Sequence, residues 1–196
     1  MKVGLFGANG RMGRVLIDAL DQNENTVLSV ATVRDDSPWV GMNVGELAGI
    51  GKKDVNCSAI SSLSENDADV MIDFTLPVTL ESNLQWCVDT KTPVVIGTTG
   101  LSETQLGLLD AAAQHIPIVF AANYSVGVNL MLSLVRQAAS VLGHSADIEI
   151  TEAHHRFKQD APSGTAMAIG EAIADELGRD LKTCAVYGRE GKEPER

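Results

Sequence analysis

Between Glu152 and Ala166 the chain reads EAHHRFKQDAPSGTA. Two adjacent histidines, His154 and His155, stand just ahead of Lys158, and Pro162 then precedes Ser163, Gly164 and Thr165. An imidazole and an ammonium group can pass a proton between them, and the ammonium charge can also hold a carboxylate. A proline is placed to open a helix, whose first turn offers hydroxyls and unpaired N–H groups to an anion. The stretch therefore reads as a grip for a small carboxylate with a proton source, His154 and Lys158, beside it. Either histidine taken alone also fits a plain structural role.

Two other chemistries compete for the same residues. If the alternating segment DIEIT (147–151) is a strand that runs on through His155, the two imidazoles face opposite ways and cannot share a metal, so no metal site is expected. NYSVG (123–127) follows a strand and precedes a helix, as a hydrolase nucleophile elbow does, with His154 as a conceivable base; Asn123, however, stands at the first glycine of that pattern.

A second constellation lies at the start of the chain. Gly7, Gly10 and Gly13 in GANGRMG follow a short apolar strand and open a helical pattern. Glycine allows the tight turn and lets backbone N–H groups approach a pyrophosphate at a helix N-terminus. The spacing departs from G-x-G-x-x-G, because Asn9 occupies the place of the second glycine. The next strand ends in TVRDD. Arg34 there reads either as a ligand for a 2′-phosphate or as a solvated side chain paired with Asp35 and Asp36. DFTLP (73–77), GTTG (97–100) and AANYSVG (121–127) each follow a strand. They line the crevice of such a sheet or are simple turns, and Gly97, Thr98 and Thr99 could approach a nicotinamide ring by backbone and hydroxyl.

The elements that must position these groups are marked by periodicity. Apolar runs predict strands at 2–6, 27–33, 69–74, 93–97 and 116–122, with the alternating strand at 147–151. Met12, Val15, Leu16, Ala19 and Leu20 form one helix face, and Leu80, Leu84, Cys87 and Val88 another. Ser102 with Gln105 makes a capping box, flanked by Leu101 and Leu106 at staple positions. Ser125 caps a helix carrying Leu130, Met131, Leu134, Val135 and Ala138 and stopped by Gly143. A last helix, with Ala166, Ile169, Ile173 and Leu177, ends at Gly178. Residues 37–54, with four glycines, read as a long loop, and GREGKEPER (188–196) as polar and irregular. Strands alternating with helices give an α/β fold, a Rossmann-type doubly wound parallel sheet. Residues 1–124 form the dinucleotide-binding domain, and 125–196 begin an α+β substrate domain.

Composition sets the outer bounds. The 196 residues are 44% hydrophobic and 21% charged, ordinary for a globular protein with a core. A net charge of −11 argues against nucleic acid or an anionic membrane as partner, and 4% aromatic residues argue against a base-stacking platform. Cys57, Cys87 and Cys184 lie far apart without a C-x-x-C spacing, which suits free thiols in a reducing cytoplasm. No apolar run approaches membrane-spanning length.

With these motifs in hand, the chain resembles the dihydrodipicolinate reductase (4-hydroxy-tetrahydrodipicolinate reductase) family of the diaminopimelate–lysine pathway. GANGRMG, DFT, GTTG, AANYSVGVN and EAHHRFKQDAPSGTA run in the family's order and spacing. The resemblance implies hydride transfer from NADPH, or NADH, to a small cyclic dicarboxylate with loss of water. It implies His154 and Lys158 as acid–base residues, Lys158 as proton donor, and His155, Ser163, Gly164 and Thr165 around the substrate. It further implies cofactor contacts from Gly7, Ala8, Asn9, Gly10, Arg11, Met12, Arg34, Gly97, Thr98, Thr99, Ala121, Ala122, Asn123 and Tyr124, in a cytoplasmic homotetramer. Many members carry an acid where this chain has Val33, which favours NADPH here. Family members continue beyond residue 196 with further strands of the substrate domain. The alternative is thus a nucleotide-binding remnant without turnover.

Overall fold

The computed structural model describes residues 1–156, 158, 160–188 and 191–192. It divides into two compact units, Met1–Ala122 and Asn123–Arg196.

In the first unit six strands form one sheet in the order β3-β2-β1-β4-β5-β6. They are β1 (Lys2–Phe6), β2 (Val27–Val33), β3 (Cys57–Ala59), β4 (Val70–Asp73), β5 (Val94–Ile96) and β6 (Ile118–Phe120). Every pairing is parallel. The strand order reverses between β1 and β4, and such a switch point opens a crevice at the carboxyl ends of the strands. Helices α1 (Arg11–Asp21), α2 (Val44–Ala48), α3 (Leu80–Asp89) and α4 (Glu103–Ala112) connect them. Successive strand residues face opposite sides of the sheet. Leu5 accordingly joins a core with Ile17, Val33, Val44 and Leu47, and Phe6 a second one with Met71, Leu84, Cys87 and Ile96.

Sequence and structure part company at instructive places here. The buried face of α1 is Gly13 and Ile17, with Leu16 and Leu20 half-buried, while Met12, Val15 and Ala19 are exposed. The helix is turned so that Gly13 meets the glycine turn, and the apolar stripe is displaced from the one expected. The loop expected over 37–54 contains α2. Asn43 organises it: its Oδ1 accepts from Gly45 N at 3.1 Å and Lys53 N at 2.9 Å, and its Nδ2 donates to Lys53 O at 2.6 Å.

The second unit contains α5 (Val126–Leu142), a short β7 (Asp160–Ala161) paired antiparallel with β8 (Gly191–Lys192), α6 (Gly164–Glu176) and α7 (Leu181–Cys184). The strand expected at 147–151 is not one: these residues form no ladder, and Ile148 and Ile150 are each 42% exposed. Alternation marks a face but supplies no partner, and a strand exists only as a pair. Of the face read on α5, Met131 and Val135 are half-buried, whereas Leu130, Leu134 and Ala138 are exposed; Ala139 is its buried residue. Gly143 does cap α5, yet in right-handed conformation. A Cβ there would collide with the Leu177 side chain and Ala139 O, so close helix packing selects the glycine. Of GREGKEPER, residues 189–190 and 193–196 lie outside the described residues. Among the described residues no helix is long and apolar enough to cross a membrane.

Candidate active site

The glycine turn is built as an anion cradle. Gly7 takes a positive φ of 70°, and a Cβ there would stand 2.7 Å from Thr75 Cγ2. The carbonyl oxygens of Gly7 and Ala8 occupy the space a Gly13 Cβ would need, so α1 starts hard against the turn. Ala8 N donates to Thr32 O at 2.8 Å and Gly10 N to Gly7 O at 3.0 Å, fixing the loop to β2 and to itself. Gly10 caps α1 without a side-chain hydrogen bond, and the first turn holds no acidic residue. The first backbone bond into the helix is Arg14 N to Gly10 O, at 3.1 Å. The N–H groups of Arg11, Met12 and Gly13 precede it and have no place in the helical ladder. With the helix dipole they favour a negative charge, and Arg11 and Met12 are exposed beside them. A pyrophosphate fits this geometry, and a nicotinamide dinucleotide is the group that chemistry suits.

Arg34 follows β2 with its side chain 76% exposed, and its Nε lies 3.7 Å from Asp36 Oδ1. Val33 is buried in the core. Asp35 turns away, accepting from Ser61 N at 3.1 Å, and that backbone hydrogen bond holds its carboxyl below the usual range. The strand end thus carries an accessible guanidinium, with one neighbouring acid engaged elsewhere and the other at loose pairing distance.

Beyond β4 the buried Asp73 is a hub that motif reading missed. Its Oδ1 accepts from Thr75 N at 2.9 Å, Thr75 Oγ1 at 2.5 Å and Thr98 Oγ1 at 3.1 Å, and its Oδ2 from Asn83 Nδ2 at 2.8 Å. The carboxylate thereby ties the loop after β4, the loop after β5 and helix α3 together. A Cβ on Gly97 would enter the Phe74 ring. Thr98 is buried with its hydroxyl spent on Asp73, which corrects the expectation that it reaches a ligand by hydroxyl; Thr99 is the exposed hydroxyl of GTTG. Burial, with a smaller contribution from the Asp73 charge, pushes the Cys87 thiol up to about 12, so it packs as an inert side chain.

Ala121 N donates to Ile96 O at 3.2 Å, and Ala122 closes the first unit. Asn123 Oδ1 accepts from Ser125 N at 2.8 Å, and Tyr124 is 39% exposed. Ser125 Oγ caps α5 by accepting from Val128 N at 3.4 Å, a helix-start role that accounts for the serine without an elbow nucleophile.

In the second unit Glu152, His154 and Ser163 come together. Glu152 Oε2 lies 2.9 Å from His154 Nε2, Ser163 N donates to Glu152 Oε1 at 2.8 Å, and Ser163 Oγ donates to Oε2. The Ser163 hydroxyl, then its N–H, and third His154 hold the Glu152 carboxyl down at about 2. Ser163 is buried and also accepts from Ala166 N at 3.1 Å as the cap of α6. Both its donors are consumed, which corrects the expectation that it offers them to a ligand. Gly164 and Thr165 are exposed at the helix start. His155 is exposed and Lys158 half-buried, with Lys158 N donating to His155 O at 3.2 Å in a turn. Glu152 opened the motif yet received no role from sequence. Its one signal was standing two residues before His154, since neighbours at that spacing in extended chain share a side.

Known proteins agree with both halves of this picture. The family model described as dihydrodipicolinate reductase, N-terminus, matches residues 1–124, and that for its C-terminus matches residues 127–195. A 4-hydroxy-tetrahydrodipicolinate reductase from Pseudoalteromonas atlantica is 63% identical over 195 residues, covering 100% of this chain and 73% of the relative. Its namesake from Alkalilimnicola ehrlichii is 55% identical at the same coverage. The solved structure of a dipicolinate-bound dihydrodipicolinate reductase from Paenisporosarcina sp. TG-14 aligns with a TM-score of 0.72 and 25% identity, covering 99% of this chain and 71% of that one. From its glycine turn to its His-His-Lys segment, this chain belongs to the dihydrodipicolinate reductase family.

Proposed function

We propose that this chain reduces 4-hydroxy-tetrahydrodipicolinate to tetrahydrodipicolinate with NAD(P)H, a step of diaminopimelate and lysine biosynthesis. The observation that carries the reading is the 63% identity to a reductase of that name over the whole of this chain. The reaction consumes one NAD(P)H and one proton and releases NAD(P)+ and water. When bound, the dinucleotide supplies the hydride.

The chain's own residues have three tasks. The uncapped start of α1 holds the pyrophosphate, with Gly7, Gly10 and Gly13 keeping side chains out of its way. His155 and the exposed N–H groups of Gly164 and Thr165 hold a substrate carboxylate at the start of α6. Lys158, with His154 beside it in the segment, gives the proton that the reduced ring requires, and its ammonium charge draws the anionic substrate in. Arg34 selects NADPH over NADH: its guanidinium pairs with the 2′-phosphate, while the buried Val33 leaves no acid there for a ribose diol.

Lys158 decides the test. In steady-state turnover Lys158→Ala lowers kcat by about 10²-fold or more, the scale of losing a general acid. Dinucleotide affinity, measured separately, stays unchanged. Near-normal turnover in that variant removes Lys158 from the mechanism.

A further inference from the structure

Glu152 is a group of the second unit that the proposed reaction does not use, and it is heavily engaged. Its carboxylate takes three donors or partners from two different places in the second unit: the backbone and hydroxyl of Ser163, and His154 Nε2 at 2.9 Å. A carboxylate accepts and does not donate when ionised, so the ring nitrogen facing it must carry a proton. We infer that Glu152 is a positioning residue that fixes His154 as its Nε2–H tautomer and, through Ser163, locks that imidazole to the start of α6. This inference rests on the reductase reading for its functional meaning, though not for its geometry.

Two consequences follow for the site. With Nε2 committed to Glu152, Nδ1 is the ring nitrogen through which His154 takes up or delivers a proton. In the neutral ring Nδ1 carries the lone pair; in the imidazolium its N–H bond breaks and the proton leaves while Nε2–H stays on Glu152. Nothing but a proton moves, so the step balances without a further reactant. Secondly, the imidazole and the helix start are held by one carboxylate. A substrate carboxylate gripped at Gly164 and Thr165 therefore meets an imidazole whose ring plane is already set. Such carboxylate–imidazole pairs act by orientation and tautomer choice, and the carboxylate itself stays ionised. Glu152 remains a carboxylate throughout the neutral range, since its partners keep its proton affinity low. Among the described residues the titratable group in contact with it is His154.

The tautomer is directly measurable. In the full chain labelled with 15N-histidine, at a pH where the ring is neutral, His154 should show the Nε2–H pattern, with Nδ1 as the unprotonated nitrogen. Glu152→Gln places an amide where the carboxylate was; its NH2 donates to the ring, and His154 should shift toward Nδ1–H. In turnover, kcat of that variant should fall by about tenfold to 10²-fold, below the full range of general acid–base loss because Lys158 remains. A wild-type ring found mainly as Nδ1–H overturns the inference, whether or not the variant folds. So does a folded Glu152→Gln protein whose His154 keeps the wild-type pattern. Because the spectra need no turnover, an inactive chain with an Nε2–H His154 counts against the reductase reading and leaves this assignment standing.

Discussion

The two units of this chain bury themselves by different means. In the first, Leu5, Ile17, Met71, Leu80 and Ile96 are each at most 1% exposed, large side chains sealed on both faces of a parallel sheet. In the second, the buried residues among those described are Ala139, Gly143, Ser163, Ala166, Gly170, Ala172 and Ala174, small groups that let α5 and α6 approach closely. Several larger apolar side chains there stay open to solvent, Leu130 at 58%, Leu134 at 55% and Val141 at 78%, while others such as Met131, Val135 and Ile173 are only half-buried. A fully buried leucine or isoleucine contributes about 1.5–3 kcal/mol relative to exposure, a buried alanine much less. The nucleotide unit is thus held by apolar area, while in the second unit polar ties such as Glu152 to Ser163 carry a larger share.

That contrast can be broken by substitution, most forcefully in the sheet. Leu5→Ala leaves a cavity between β1 and α1 and should cost about 2–5 kcal/mol of unfolding free energy. Urea denaturation measures it, and a loss below about 1 kcal/mol would show that the sheet core is not the main source of stability. Next in size is Arg34→Ala, which tests whether a binding group can be removed from this unit without touching what holds it together. NADPH affinity should drop by about 1–3 kcal/mol, the range for hydrogen bonds to charged groups, and the preference over NADH should vanish. Calorimetry with both dinucleotides reads it; a tighter grip on NADH in the unaltered chain would reverse the assignment of Arg34. The smallest effect belongs to the second unit. Leu134→Ala should change stability by no more than about 0.5 kcal/mol, as exposed positions do. If it costs as much as Leu5→Ala, the exposed face of α5 is covered in solution and the comparison fails.

What could be read from sequence follows the same division. Local signals survived: Ser102 and Gln105 form the full capping box at the start of α4, and Ser125 caps α5. Five strands of the parallel sheet announced themselves by continuous apolar runs, as burial on both faces favours, whereas the three-residue edge strand β3 (Cys57–Ala59) carried no such run and was not expected. Long-range pairing is what periodicity cannot supply. DIEIT alternates as a strand should, and it remains irregular because alternation does not name a partner. In α1 the repeat was right and the face wrong, since the helix is rotated by the contact of Gly13 with the turn. The site divides likewise. Glycines, histidines and the lysine stand out by type, whereas Asp73 and Glu152 act through Thr98, Asn83 and Ser163, partners up to 25 residues away. D-x-T carries a hint, as aspartate often bonds backbone two residues on; the Asp73 bond to Thr75 N is that turn.

The place of β1 in the sheet has a consequence for how the protein is made. Of the strands in this sheet it is synthesised before the others, and it ends in the middle, between β2 and β4, with Val3 beside Val70 and Phe6 beside Asp73. While the nascent chain has delivered only β1, β2 and β3, the strand that is most enclosed in the finished protein lies on an open edge. Phe6 then lacks Met71, Leu84 and Ile96, all of which leave the ribosome later. An unpaired parallel edge lined with Leu5 and Phe6 is a template for the wrong partner. Between the emergence of β3 and that of β4, the edge of β1 that β4 will cover is open to mispairing.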